Sequence, residues 1–208
     1  IFHKKGAFER ARFEQNVYFN RVEFNDVADF DNCHFEEHGD FRNVNFIGPV
    51  EFRSVRSGPE GPKDKGQELH GVHLTSSKFG AQADFGESQF GSFSGQYIQT
   101  EGPFNFRDVE IKEFCDFRGV QFNDSAEFSG SKLSGKADFR EARFLQVDFE
   151  GVQFDVEANF YDSTFNGIAE FTRVKFGTEE TPCILCLNAK FNGQINIKWV
   201  AIEEVVKR

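Results

Sequence analysis

Methionine is absent from this 208-residue chain and tryptophan occurs once, yet phenylalanine occurs 29 times. An ordinary mixed core draws on all the large apolar side chains. This bias excludes one, and points to a single structural slot filled again and again by the same residue. No apolar run approaches the ~18 residues of a membrane-spanning helix, so no such span is expected in this segment. Basic residues are in deficit, with 24 Lys and Arg against 34 Asp and Glu and a formal charge of −10. Nucleic acid and anionic membrane surfaces call for a basic footprint, so direct binding to either is disfavoured. Also missing are an HExxH helix, a Gly-rich phosphate loop and a G-x-S-x-G elbow. With no such constellation the chain reads as non-enzymatic, without cofactor or metal. No signal-peptide pattern is visible, and the opening at Ile1 rather than Met reads as an excised piece of a longer, bacterial protein.

What is present is a repeat. Phe falls at 2, 8, 13, 19, 24, 30, 35, 41, 46 and 52, in steps alternating between 6 and 5 residues. The rhythm resumes at Leu74, Phe79, Phe85 and Phe90, runs again from Phe106 to Phe176, and fits Cys186, Phe191, Ile197 and Ile202. In this register 26 of the 29 Phe take the large slot, and Phe93, Phe104 and Phe114 do not. Two residues earlier sits a small or β-branched residue, as at Ala28, Cys33, Gly39, Val44, Ala83 and Ser88. Residues i−2 and i share a face of an extended segment. Each unit therefore supplies one short extended piece with a small and a large side chain facing in, and then a turn. A strict repeat this short is satisfied by a solenoid.

The stretches ADFDNCHF, ADFREARF and AEFTRVKF resemble the pentapeptide-repeat family, whose unit is roughly Ala-Asp/Asn-Leu/Phe-x-x. The resemblance implies an all-β fold, a right-handed quadrilateral β-helix with four units per coil. One extra residue in every second unit makes a coil of ~22 residues, and the count predicts about eight coils. At ~4.8 Å per coil the rod is roughly 40 Å long. The extra residue falls in turns such as SGKADF and NGIAEF, where glycine is expected to support unusual backbone angles and slightly bulged corners on two opposite sides. The β-helix is expected over 1–202, broken by a projecting loop at 53–71 and an irregular stretch at 91–105. Residues 203–208 read as the start of a C-terminal helical cap or a following segment. Open coil ends offer strand edges, which allows end-to-end self-association.

The residue before the large slot is acidic in one unit of each pair: Asp29, Asp40, Glu51, Asp84, Asp116, Glu127, Asp138, Asp148 and Glu170, with Asn159 neutral. Successive members lie half a coil apart, which sorts them into two ladders on opposite faces. Such rows either form a carboxylate array or cap turns and keep the faces soluble. Arg42, Arg53, Arg118 and Arg140 follow two residues after four of the acids and partly neutralise the rows, which favours capping. The acids, with the loop residues Glu60, Lys63, Asp64 and Lys65, are the candidate interaction surface.

Cys33 and Cys115 occupy small inward slots and Cys186 a large one, where cysteine serves as a small buried hydrophobe. Cys183 and Cys186 lack a second pair for a four-ligand zinc site, and a disulfide between them is the alternative in an oxidising compartment. His34 and His38 flank a corner, and His70 and His73 end the loop, without a metal motif. The expected function is a non-catalytic scaffold with a protein partner. The resemblance supplies the alternative, an acidic imitation of DNA that binds a type II topoisomerase, DNA gyrase.

Overall fold

The computed structural model describes residues 1–58, 70–177, 183–186 and 188–197. Among these there is no helix. Short strands stack in parallel into a 15-stranded and a 14-stranded sheet. The result is a parallel β-solenoid of about eight turns. One line of large-slot residues runs Phe2, Phe24, Phe46, Phe79, Thr100, Phe122, Phe144, Phe165 and Phe191, each paired in register with the next. Most steps are 22 residues, as at Gly6↔Ala28 and Cys115↔Ala137. Three other lines complete the four sides.

The two kinds of corner follow from the two unit lengths. Five-residue units turn sharply. The Ala11 amide donates to the Phe8 carbonyl at 2.9 Å, and Arg10 between them has φ 61°. That is a type II turn, which demands a left-handed third residue. The same geometry recurs at Arg21, Asn32, Gly119 and Gly130, and at Asn43 and Ser54 the same positive φ goes with an amide that donates instead to the hydroxyl of Ser77 or Ser88. Six-residue units bend gently, so the chain can pass through them as one strand, as in Glu110–Asp116 and Gln121–Glu127. The ladder shifts register there between Phe122 and Ser125. The bulged corners are therefore present on two opposite sides, but glycine serves them differently from the expectation. Positive φ belongs to the five-residue corners, apart from Gly58 and Gly177, each directly after a large-slot residue where the regular spacing is interrupted. Gly135 and Gly167 in the six-residue corners are needed for close approach instead: an added Cβ would fall 1.0 Å from the Glu113 carbonyl oxygen and 2.3 Å from that of Leu145.

Inside, rings stack along the axis and meet edge-on across it. Phe30 and Phe52 lie 4.7 Å apart and 17° from parallel, while Phe30 and Phe41 on different sides meet at 84°. Such offset and edge arrangements suit the aromatic quadrupole. The stretch 91–105 is in register. One residue is missing at the corner between Phe90 and Ser92, and the two slots exchange sizes. Phe93 pairs with Cys115 and Phe104 with Ala126, both small-slot positions, while Thr100 pairs with Phe122 in the large slot. The second one-residue deletion, after Phe144, also leaves the coil intact.

The coil reaches into the predicted loop from both sides. Arg56–Ser57 pairs with His34–Phe35, and Gly71–His73 pairs with both Gly39–Asp40 and Ser92–Ser94. Hydrophobic Val55 and Val72 anchor these ends, each fully buried. The predicted cap at 203–208 lies outside the described residues.

Candidate functional site

The acidic rows stand on two sides of the rod. One runs Asp29, Glu51, Asp84, Asn105, Glu127, Asp148, Glu170 and Asn196. The other runs Tyr18, Asp40, His73, Ser94, Asp116, Asp138 and Asn159. The Asp members cap corners. Asp40 Oδ1 accepts from the Arg42 amide at 3.1 Å, Asp138 Oδ1 from Arg140 at 3.0 Å, and Asp148 Oδ1 from Glu150 at 2.7 Å. Asn105 and Asn159 make the same bond, so the cap needs the carbonyl-type oxygen and not the charge. A glutamate is one methylene too long for this Asx turn, and Glu51, Glu127 and Glu170 show no such bond.

The second row is neutralised. Arg42 reaches Asp40 at 2.5 Å, Arg140 reaches Asp138 at 2.6 Å, and Arg118 lies 3.8 Å from Asp116. Burial pushes the Asp40 carboxyl up, but hydrogen bonds from Arg42 and Asn20 outweigh it and hold the group below its ordinary value. Arg53 departs from the expected pattern. Its partner is Asp31 on the preceding coil, at 2.5 Å, because its guanidinium points along the axis rather than back to Glu51. At the start of the first row Asp29, Asp31 and Glu51 bring carboxylate oxygens within 4.8 Å of one another. Lys5 holds Asp29 at 2.8 Å and Arg53 holds Asp31, so fixed cations already serve this cluster.

The later part of the first row differs. Glu127, Asp148 and Glu170 line a shallow hollow with Ser125, Gln146 and Ile168. Arg107 approaches Glu127 at 3.5 Å, on an exposed surface. Among the described residues neither Asp148 nor Glu170 forms an ion pair. Burial, then the charges of Glu150, Glu170 and Glu127, push the Asp148 carboxyl above its ordinary value. Two large apolar side chains stand open here, Ile168 and neighbouring Leu145, 47% and 44% exposed.

Pentapeptide repeats (9 copies) match as a family over residues 8–56 and 128–175. The repeats of these two spans are pentapeptide repeats. Among solved structures, trypsin-treated QnrB1, a plasmid-mediated fluoroquinolone resistance protein, is similar over 92% of this chain and 88% of that one, at 16% identity and a TM-score of 0.25. No curated protein matches.

Other candidates in this chain fall into place. Cys33 and Cys115 are free and buried, and burial raises both thiols, that of Cys33 to about 11. Cys186 is free and exposed, and the Cys183 side chain lies outside the described residues. So do Glu60, Lys63, Asp64 and Lys65. The solenoid also brings His38 and His73 together, which the sequence does not announce. They are 35 residues apart, and the insertion between them hides their common register.

Proposed function

We propose that this solenoid is a non-catalytic scaffold that docks a protein partner along Glu127, Asp148 and Glu170. Uneven neutralisation of the acidic rows carries the reading. Where an Asp caps a corner beside an Arg, the charge is consumed within the fold. Along Glu127, Asp148 and Glu170 it is compensated only by the exposed Arg107 at Glu127, with no ion pair at Asp148 or Glu170 among the described residues, beside exposed Ile168 and Leu145. Charge next to an open apolar patch suits a protein segment with Lys or Arg flanking an apolar side chain. The hollow is shallow and presents no nucleophile–base pair, which supports binding rather than turnover.

The alternative is imitation of duplex DNA toward a type II topoisomerase. It requires an extended negative stripe, and the second row is interrupted by Arg42, Arg118 and Arg140. A supercoiling assay with DNA gyrase and added chain separates the two. The scaffold reading expects supercoiling unaffected at micromolar chain. Inhibition that disappears in the triple variant Glu127→Lys, Asp148→Lys, Glu170→Lys would favour imitation.

A further inference from the structure

We propose that His38 and His73 form an acid-sensitive latch where the chain re-enters the coil after residues 59–69. His38 Nδ1 and His73 Nε2 stand 3.2 Å apart and share a hydrogen bond. One ring must donate and the other accept, so at least one of the two must present a bare nitrogen. A first proton can be held within the bond. A second leaves two N–H donors facing each other and removes it. The rings are splayed rather than stacked, with centroids 5.1 Å apart and planes at 51°, so no face-to-face contact replaces the lost bond.

The latch ties two parts of the chain that lie 35 residues apart. His38 is set by its own corner, where its amide donates to Asn16 Oδ1 at 3.0 Å and its carbonyl accepts from the Val17 amide at 2.9 Å. His73 ends the short strand Gly71–His73, which pairs with Gly39–Asp40 on one side and Ser92–Ser94 on the other. Burial first, then His38, lowers the His73 pKa; Asp40 pulls the other way and Arg42 adds to the lowering. Asp40 and Arg42 are tied to each other by paired hydrogen bonds, so Asp40 is not free to receive a charged His73. His70 is the third imidazole here, its centroid 5.6 Å from that of His38 and its buried Nδ1 without a hydrogen-bond partner. The strand beyond offers the hydroxyls of Ser92 and Ser94, and Asp116 one coil further on is held by Gln96 at 2.7 Å. Tyr18 pairs with Asp40 from the other side, Glu37 precedes His38, and Glu113 precedes Phe114, which pairs with Ser92. A histidine held below its ordinary pKa stabilises the latched state above the open-state value of ~6.5, and that contribution is lost as pH falls from there through the lower latched value. Acid therefore loosens Gly71–His73.

The test is histidine ring NMR together with amide hydrogen exchange on the full chain, across the range of about pH 5 to 8 in which imidazole titrates. The His73 ring should titrate below ~6.5. Opening at Gly71–His73, corrected for intrinsic exchange, should rise by up to about tenfold per pH unit as pH falls between the open and latched midpoints. His38→Gln removes the neighbouring charge and keeps a partner for the ring, so the His73 midpoint should move up towards the ordinary value. His73→Gln should abolish the acid-dependent opening. His3→Gln, whose ring meets Asn25 instead, should change neither. The titration of the unsubstituted protein needs no variant, and His73→Asn replaces His73→Gln if circular dichroism shows that chain to be unfolded. A His73 midpoint at or above the ordinary value, one unmoved by His38→Gln, or acid-dependent opening that persists in the folded His73 variant would overturn the latch.

Discussion

Phe93 fills the space that Gly95 leaves. Gly95 stands in line with the large slot, where a Cβ would come within 3.0 Å of the Phe93 ring and 3.2 Å of Phe117. Phe93 enters from the small slot and packs 5.1 Å from Phe117 and 5.0 Å from Phe106. Phe93→Ala should cost about 3–5 kcal/mol, the usual range for emptying a buried aromatic site. Gly95→Phe alone should overpack the coil by about 1–3 kcal/mol. The double variant restores the ordinary order of sizes, so its cost should fall below the sum by at least about 1 kcal/mol. Denaturant titration of the four proteins measures the coupling, and strict additivity would contradict the exchange.

Gly135 and Gly151 have opposite reasons to be glycine. Gly151 has φ +68° with nothing near its absent Cβ, whereas Gly135 abuts the Glu113 backbone. Gly151→Ala should therefore cost only about 1 kcal/mol, the left-handed penalty. Gly135→Ala should cost several times more, because backbone must move. Thermal unfolding of the two variants ranks them directly.

Two carboxyls of like position should titrate with opposite sign. Asp40 is held below its ordinary value, so its stabilisation is present above the unfolded pKa, ~3.9, and is lost as pH falls through the lower folded value. Asp40→Asn should lower stability at neutral pH and flatten that acid-side loss. Asp148 is raised, so stability declines as pH rises from the unfolded pKa through the folded one. Asp148→Asn keeps the capping oxygen, as Asn159 does, and should raise Tm at pH 7 but not at pH 3. A drop in Tm at pH 7 would mean that the Asp148 charge is satisfied after all.

Cys33 and Cys115 should resist a thiol reagent in the native protein and react on unfolding. Both side chains are sealed in the core, at 0% and 1% exposure, and both thiols are raised. Cys186 is exposed, and although partial burial raises its thiol too, it should label faster than either, which supplies the internal control. Rapid native modification of Cys33→Ser protein at Cys115 would contradict the inward slot.

The fold was legible because one residue type marks one slot. Phe24, Phe46, Phe122 and Phe144 announce their stacking by spacing alone. Legibility failed where volume is conserved but position is not. Phe93 and Phe104 swap roles with Gly95 and Thr100, and a pattern that tracks size reads the swap as disorder. Ser57 hid a large-slot position, opposite Phe35, for the same reason. The acidic rows were legible as rows, and the difference between a capping Asp and a freer Glu is one methylene. Which charges remain uncompensated was not legible, because partners such as Arg53 and Asp31 meet across coils. The meeting of His38 and His73 was hidden by the inserted residues between them.

Docking at Glu127, Asp148 and Glu170 is tested most directly by a photo-crosslinking amino acid placed at exposed Gln146, in the hollow, and separately at exposed Lys112, on another side of the rod. Irradiation in cells should give a discrete protein adduct from position 146 and none from 112. The adduct should vanish when Glu127 and Glu170 are changed to Lys and Asp148 to Asn, which keeps the capping oxygen, with circular dichroism showing that the variant is folded. No adduct at 146, or one that survives these changes, would contradict the account.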